Sequence, residues 1–134
     1  MAWLAAYGAA LLALGVLDAI WLGVVARELY QREIGELLAP EVRWSAGVLF
    51  YLAYPLGVLA LALQPDTDSL RAVLARAAAV GLLAYATYDL TNMATLRVWS
   101  WKLVGLDVAW GIFITTCMGA AAFAAFNAVA RRAG

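Results

Sequence analysis

The sequence predicts an all-α integral membrane protein: a four-transmembrane-helix bundle with a short interfacial helix between the first and second spans. Of the 134 residues, 66% are hydrophobic and only 13% charged, against roughly 25% charged in an average soluble domain. A chain this short buries only part of its surface when it folds in water, so the apolar excess calls for lipid as solvent. Four stretches, at about 3–26, 44–63, 77–96 and 103–130, reach the ~20 apolar residues that a spanning helix needs. They lack the alternation of barrel strands, and helices are the other way to satisfy backbone groups in a bilayer. An even number of spans puts both termini on one side, and 1–134 reads as a single transmembrane domain.

The elements follow in order. The opening run "MAWLAAYGAALLALGVLDAIWLGVVA" lacks the positive start of a signal peptide and is too long for its apolar region, so it is expected to be a retained span. In "RELYQREIGELLAPEVR", Tyr30, Ile34, Leu37 and Leu38 share one helical face at i, i+4, i+7 and i+8. Glu28, Gln31, Arg32 and Glu36 lie largely elsewhere, and Pro40 ends the run. That pattern suits a helix lying in the interface, as a covering connector or a lid. Its four glutamates outnumber its three arginines, which argues against attraction to anionic lipid. Pro55 sits inside the second span, where it removes a backbone donor and frees a carbonyl. "QPDTDS" reads as a turn, with Pro65 a breaker and Asp66 to Ser69 available to cap the third span, whose leading residues can extend it beyond the bilayer. "RVWSWK" sets Trp99 and Trp101 among basic residues as an interfacial anchor, a role also expected of Trp3 and Trp44. Gly15, Gly23, Gly47, Gly57, Gly81, Gly105, Gly111 and Gly119 are expected to let helices approach closely.

Composition also excludes. Net charge is zero, leaving no basic face for nucleic acid. Histidine is absent, which removes the commonest metal ligand and the usual base near neutral pH. The single cysteine, Cys117, precludes an internal disulfide or a cysteine cluster. There is no Gly-rich phosphate loop and no nucleophile elbow, so no cofactor is expected.

Against this background Asp18, Asp89 and Asp107 stand out, because each costs ~2.5–3.5 kcal/mol at a span centre. They must face protein or water. Counted from Arg27, Arg97 and Lys102, they lie roughly 13, 12 and 8 Å below the same membrane face at ~1.5 Å per residue. Tyr51 reaches that level from the second span, and Tyr54 lies one turn deeper. Tyr85, Tyr88, Asp89, Asn92 and Thr95 form a continuous stripe on the third span, with Thr91 beside it. The pentapeptides "LDAIW" and "LDVAW" share L-D-x-x-W, so Trp21 and Trp110 each sit one turn from an aspartate. There an indole N–H can serve a neighbour or a ring can wall a pocket. Asp18, Asp89, Asp107, Tyr51, Tyr54, Tyr85, Tyr88, Thr91, Asn92, Trp21 and Trp110 are therefore the candidate ligand- or ion-binding residues of one intramembrane pocket.

The segments "LDAIWLG", "LLAPEVRW", "FYLAYPLG", "AYATYDLTNMATLRVW" and "LDVAWG" resemble the small bacterial membrane-protein family catalogued as domain of unknown function 2177. "TYDLTNxATL" followed by "DxAWG" is the most specific part. The resemblance covers nearly the whole chain and implies a four-helix integral membrane protein; it supplies no activity and no catalytic residue. The bacterial inner membrane is the expected location.

Three functional readings are open. The first is binding of a small molecule or cation, extending to proton-coupled transport; 134 residues leave little room for two gates, so transport implies a homodimer. The second is an enzyme acting on a lipid-soluble substrate, with aspartates as acid and base and Tyr88 or Tyr51 as proton donor. No nucleophile–base pair supports it. The third is an accessory or structural subunit whose aspartates hydrogen-bond between helices or dock a partner. Orientation rests on five basic residues near the first and third loops against four near the termini and second loop. Arg131 and Arg132, directly after the last span, favour cytoplasmic termini.

Overall fold

The computed structural model describes residues 1–64 and 69–133. The chain runs as α1 (Ala2–Ile20), which continues into a π-helical turn (Trp21–Val25), then α2 (Arg27–Ile34), a 3-10 turn (Gly35–Leu37), α3 (Trp44–Ala62), α4 (Leu70–Thr95) and α5 (Trp101–Ala133). The described residues contain no strand. Four helical stretches, α1 with its π turn, α3, α4 and α5, are long and apolar enough to cross a membrane. Apolar residues cover nearly every face of them, which is how a helix reads when both protein and lipid surround it. Leu14, Val58, Val73, Ala77, Ile114 and Met118 form the fully buried interior, while Leu4, Leu12, Leu49, Leu83 and Phe113 point outward.

Helix α5 is the hub, packing most extensively on α4 and α1, with α3 leaning more lightly on α1 and α4. Small residues make the α4–α5 crossing possible. A Cβ on Gly81 would collide with the Gly111 carbonyl oxygen, and one on Gly111 would run into the Tyr85 ring. Gly119 meets Ala77 in the same way. Gly15, Gly23, Gly47, Gly57 and Gly105 have open space where a side chain would go, so close approach explains only the α4–α5 glycines.

Helix α4 begins at Leu70, seven residues before the apolar run expected from 77, because Arg71 and Arg76 are carried on its extension. Ser69 caps it, its hydroxyl accepting the Ala72 N–H at 3.5 Å. The other residues of the expected turn, 65–68, lie outside the described residues. Helix α2 folds over the junction of α4 and α5, with Leu29, Tyr30 and Ile34 packed against Trp99, Leu103 and Val104. Leu37 and Leu38 are exposed instead of sharing that face, because the chain tightens at Gly35 and turns extended at Leu38, breaking the helical phase. Glu33 ties α2 down: it accepts the Ser100 hydroxyl at 2.5 Å and lies 3.9 Å from the Lys102 ammonium. Trp44 and Trp101 are exposed and Trp3 is partly so, as interfacial anchors would be, but Trp99 is buried. Pro55 is buried within α3, and the nearby carbonyl of Leu52 accepts the Tyr7 hydroxyl of α1 at 3.1 Å.

Candidate intramembrane carboxylate site

Asp89 stands six residues before the end of α4, and Asp107 six residues after the start of α5. An antiparallel pair joined by a short loop therefore brings them level. Asp89 is completely buried and Asp107 is 6% exposed, and the two carboxyl groups are close enough to act on each other electrostatically. The indole Nε1 of Trp99 donates to Asp89 Oδ1 at 3.3 Å, and the hydroxyl of Tyr30 donates to Asp107 Oδ1 at 2.6 Å. Asp89 Oδ2 has no donor. Burial, and next the bond to Asp107, push the Tyr30 phenol well above the ordinary tyrosine range, so Tyr30 acts as a neutral donor.

Asp18 approaches from α1. It accepts the Tyr51 hydroxyl of α3 and, at 3.4 Å, the Trp110 indole N–H of α5. The Trp110 ring lies flat on Trp21, with centroids 4.6 Å apart and planes 7° from parallel. Trp21 in turn donates to the Tyr30 hydroxyl at 3.1 Å. Hydrogen bonds and this one stacked pair thus join Tyr51, Asp18, Trp110, Trp21, Tyr30 and Asp107, with Asp89 and its donor Trp99 beside Asp107 completing the network. The two L-D-x-x-W pentapeptides exchange partners: Trp110 serves Asp18, while Trp21 reaches Asp107 through Tyr30. Trp21 opens the π turn, where its carbonyl accepts the Ala26 N–H at 2.7 Å in an i to i+5 bond. Such a turn shifts the helical phase of the residues beyond it, and π turns recur at functional sites.

The other candidates lie around this network. Tyr54 shares a 2.8 Å hydrogen bond with the buried Thr115 of α5. Tyr85 packs its ring on Gly111, within electrostatic range of Asp18, Asp107, Tyr51 and Tyr54. Tyr88 is more than half exposed, edge-on to Trp99 at 5.6 Å, with Asn92 within reach of its hydroxyl. Thr91 points away, returning its hydroxyl to the Thr87 and Tyr88 carbonyls of its own helix at 2.5 and 3.0 Å. The expected stripe on α4 therefore divides, with Asp89 inward and Thr91 and Tyr88 outward.

Three participants escaped the sequence reading. Tyr30 counted as part of an apolar face, although it is the one residue there with a hydroxyl. Trp99 is expected to be an anchor, but it stands in the loop between α4 and α5, where helical spacing does not set the direction of its ring. Thr115 carried no signal.

The ion pairs of Arg32 with Glu28 (3.1 Å) and of Lys102 with Glu33 (3.9 Å) leave the three aspartates out, so among the described residues no basic side chain pairs with them. Nor, among those residues, do three metal-ligating side chains gather where they could hold an ion. Aromatic donors occupy the surroundings of the carboxylates. Two hollows lie one layer away, between α3 and α4: one of about 640 Å³ bounded by Phe50, Tyr54, Gly57, Leu61 and Leu83, and one of about 410 Å³ bounded by Phe50, Tyr54, Ala84, Tyr85 and Tyr88.

Four apolar spans define the class: an integral membrane protein, here with carboxylates buried among its helices. The chain belongs to the family described as "Predicted membrane protein (DUF2177)", whose model matches residues 3–124. Neither the curated proteins nor the solved structures yielded a match.

Proposed function

We propose that this protein binds a small molecule within the membrane, that the aspartate network is its proton site, and that the two are coupled as in proton-linked transport. The observation that carries the reading is the unpartnered, fully buried Asp89 Oδ2 beside the Asp107 carboxyl. Two carboxylates cannot hydrogen-bond each other, but a proton on one turns it into a donor that the other can accept. An unsatisfied buried oxygen would otherwise cost about 1–3 kcal/mol or more. The titratable groups facing this pair are Asp18 from α1, Tyr30 from α2, and Tyr85 and Tyr88 from α4, with Tyr51 of α3 behind Asp18. These are acids and phenols. A shared proton there is held by geometry and can leave when a ligand supplies positive charge.

The inward convergence of the aspartates supports this reading over docking of a partner through an outward polar face. Their nearly complete satisfaction by tryptophan and tyrosine supports a second reading, in which the network only holds the helices together. Infrared spectroscopy of the protein in lipid separates the two. A carboxylic acid carbonyl band at neutral pH, lost in a folded Asp89→Asn protein, is expected. If wild type shows no such band, the proton site is refuted and the purely structural network stands. The same proposal keeps both termini in the cytoplasm of a bacterial inner membrane, in keeping with Arg131 and Arg132, and pairs two copies into a homodimer to supply the second gate. Cysteine accessibility near residue 132 and crosslinking in native membranes test those two points.

A further inference from the structure

The two hollows between α3 and α4 share Phe50, Tyr54 and Ala84, so they form one groove. Along α3 it reaches from Phe50 to Leu61, on the order of 16 Å at ~1.5 Å per residue. Its deeper part is lined by Gly57, Leu61, Val80 and Leu83, which offer no polar side chain. Its other end is lined by Tyr54, Tyr85 and Tyr88. Directly behind that aromatic end stands the acidic network: Phe50 contacts Tyr51, which bonds Asp18, and Tyr88 contacts Trp99, which bonds Asp89. Within the network a completely buried carboxylate oxygen lacks a donor, and no basic side chain pairs with the acids among the described residues.

We infer that this groove takes a single-chain cationic amphiphile from the bilayer, its alkyl tail along α3 and its ammonium head against the Tyr54, Tyr85 and Tyr88 rings. The inference rests on the binding reading above and names the ligand class. An apolar trough alone would accept any lipid tail. Charge complementarity selects the head, because phenol faces attract a cation and the carboxylates one layer behind reinforce that attraction in a medium that screens little. An anionic or zwitterionic lipid would bring negative charge toward the same acids and meet repulsion there.

The test uses the full chain in phosphatidylcholine nanodiscs and dodecyltrimethylammonium carrying a photoreactive diazirine near the end of its tail. Crosslinks are mapped by mass spectrometry. Saturable labelling of the α3 and α4 groove residues is expected, displaced by unlabelled dodecyltrimethylammonium but not by the same excess of dodecanol. Gly57→Leu fills the groove and should reduce labelling at least tenfold. Gly105→Leu, where a side chain also meets open space, should leave it unchanged. Labelling spread evenly over the outer faces of all four spans, or indifferent to Gly57→Leu, overturns the site; equal competition by dodecanol overturns the cationic head. The infrared band of Asp89 is read without any amphiphile, so its presence beside failed labelling rejects only the ligand class. Its absence beside specific labelling rejects only the proton site.

Discussion

Replacing Tyr30 by phenylalanine is the sharpest perturbation of the network, because one hydroxyl there joins two helices and a π turn. Tyr30→Phe keeps the ring that packs with Leu29 and Ile34 against Trp99, Leu103 and Val104. It removes the 2.6 Å bond to Asp107 and the acceptor of the Trp21 N–H at 3.1 Å. A hydrogen bond to a charged group contributes about 1.5–3 kcal/mol and a neutral one about 0.5–1.5 kcal/mol. Interhelical bonds within membranes average only ~0.6 kcal/mol, because the dissociated helices find other partners. Tyr30 sits outside the spans, on a segment that detaches into water, so rehydration of Asp107 recovers part of the loss. The balance is a destabilisation of about 2 kcal/mol, with about 1 kcal/mol of coupling between Tyr30 and Asp107. Equilibrium unfolding in mixed detergent and dodecyl sulfate measures both through a double-mutant cycle of Tyr30→Phe with Asp107→Asn. A coupling below about 0.3 kcal/mol, with Tyr30→Phe itself near neutral, would refute the view that α2 is latched through this hydroxyl.

Further outcomes rest on the same geometry. Trp99→Phe strips the one donor from Asp89 and should cost about 1–3 kcal/mol, whereas Trp101→Phe, at an exposed ring, should stay within about 0.5 kcal/mol; thermal unfolding monitored by circular dichroism compares them. Gly81→Ala drives a methyl into the Gly111 carbonyl and should cost about 1–3 kcal/mol as overpacking, while Gly57→Ala should fold with little change. Since the Tyr30 phenol is raised from its ordinary value of 10.0, its contribution to stability is fully present below about pH 10. It is lost as pH climbs beyond that value, because the unfolded chain ionises first. Ultraviolet titration should therefore find that the number of tyrosines ionising near pH 10 only after unfolding is one fewer in Tyr30→Phe than in wild type.

The residues show unevenly how much could be read in advance. Hydropathy is a local property, so the four spans and the short helix after the first could be read directly. Depth is nearly local too, since rise per residue is constant. Counting from the flanking basic residues placed Asp18, Asp89 and Asp107 at one level, and the structure joins them through Trp110, Trp21 and Tyr30. Rotational phase is different. The π turn at Trp21 and the break at Gly35 each reset which way later side chains point, and the Gly81–Gly111 contact sets which faces of α4 and α5 meet; none can be deduced from periodicity. The sequence places Thr91 among the site residues and Trp99 at the interface, whereas Thr91 returns its hydroxyl to its own helix and Trp99 is buried. The sequence also places a pocket at the carboxylates, where indoles and phenols fill the space and the groove lies one layer out, between α3 and α4. By itself the sequence determined that this membrane protein would carry acid inside its apolar helices. Which aromatic group satisfies which aspartate, and which oxygen is left bare, was decided only by the tertiary structure, because hydrogen bonds depend on angles that spacing does not encode.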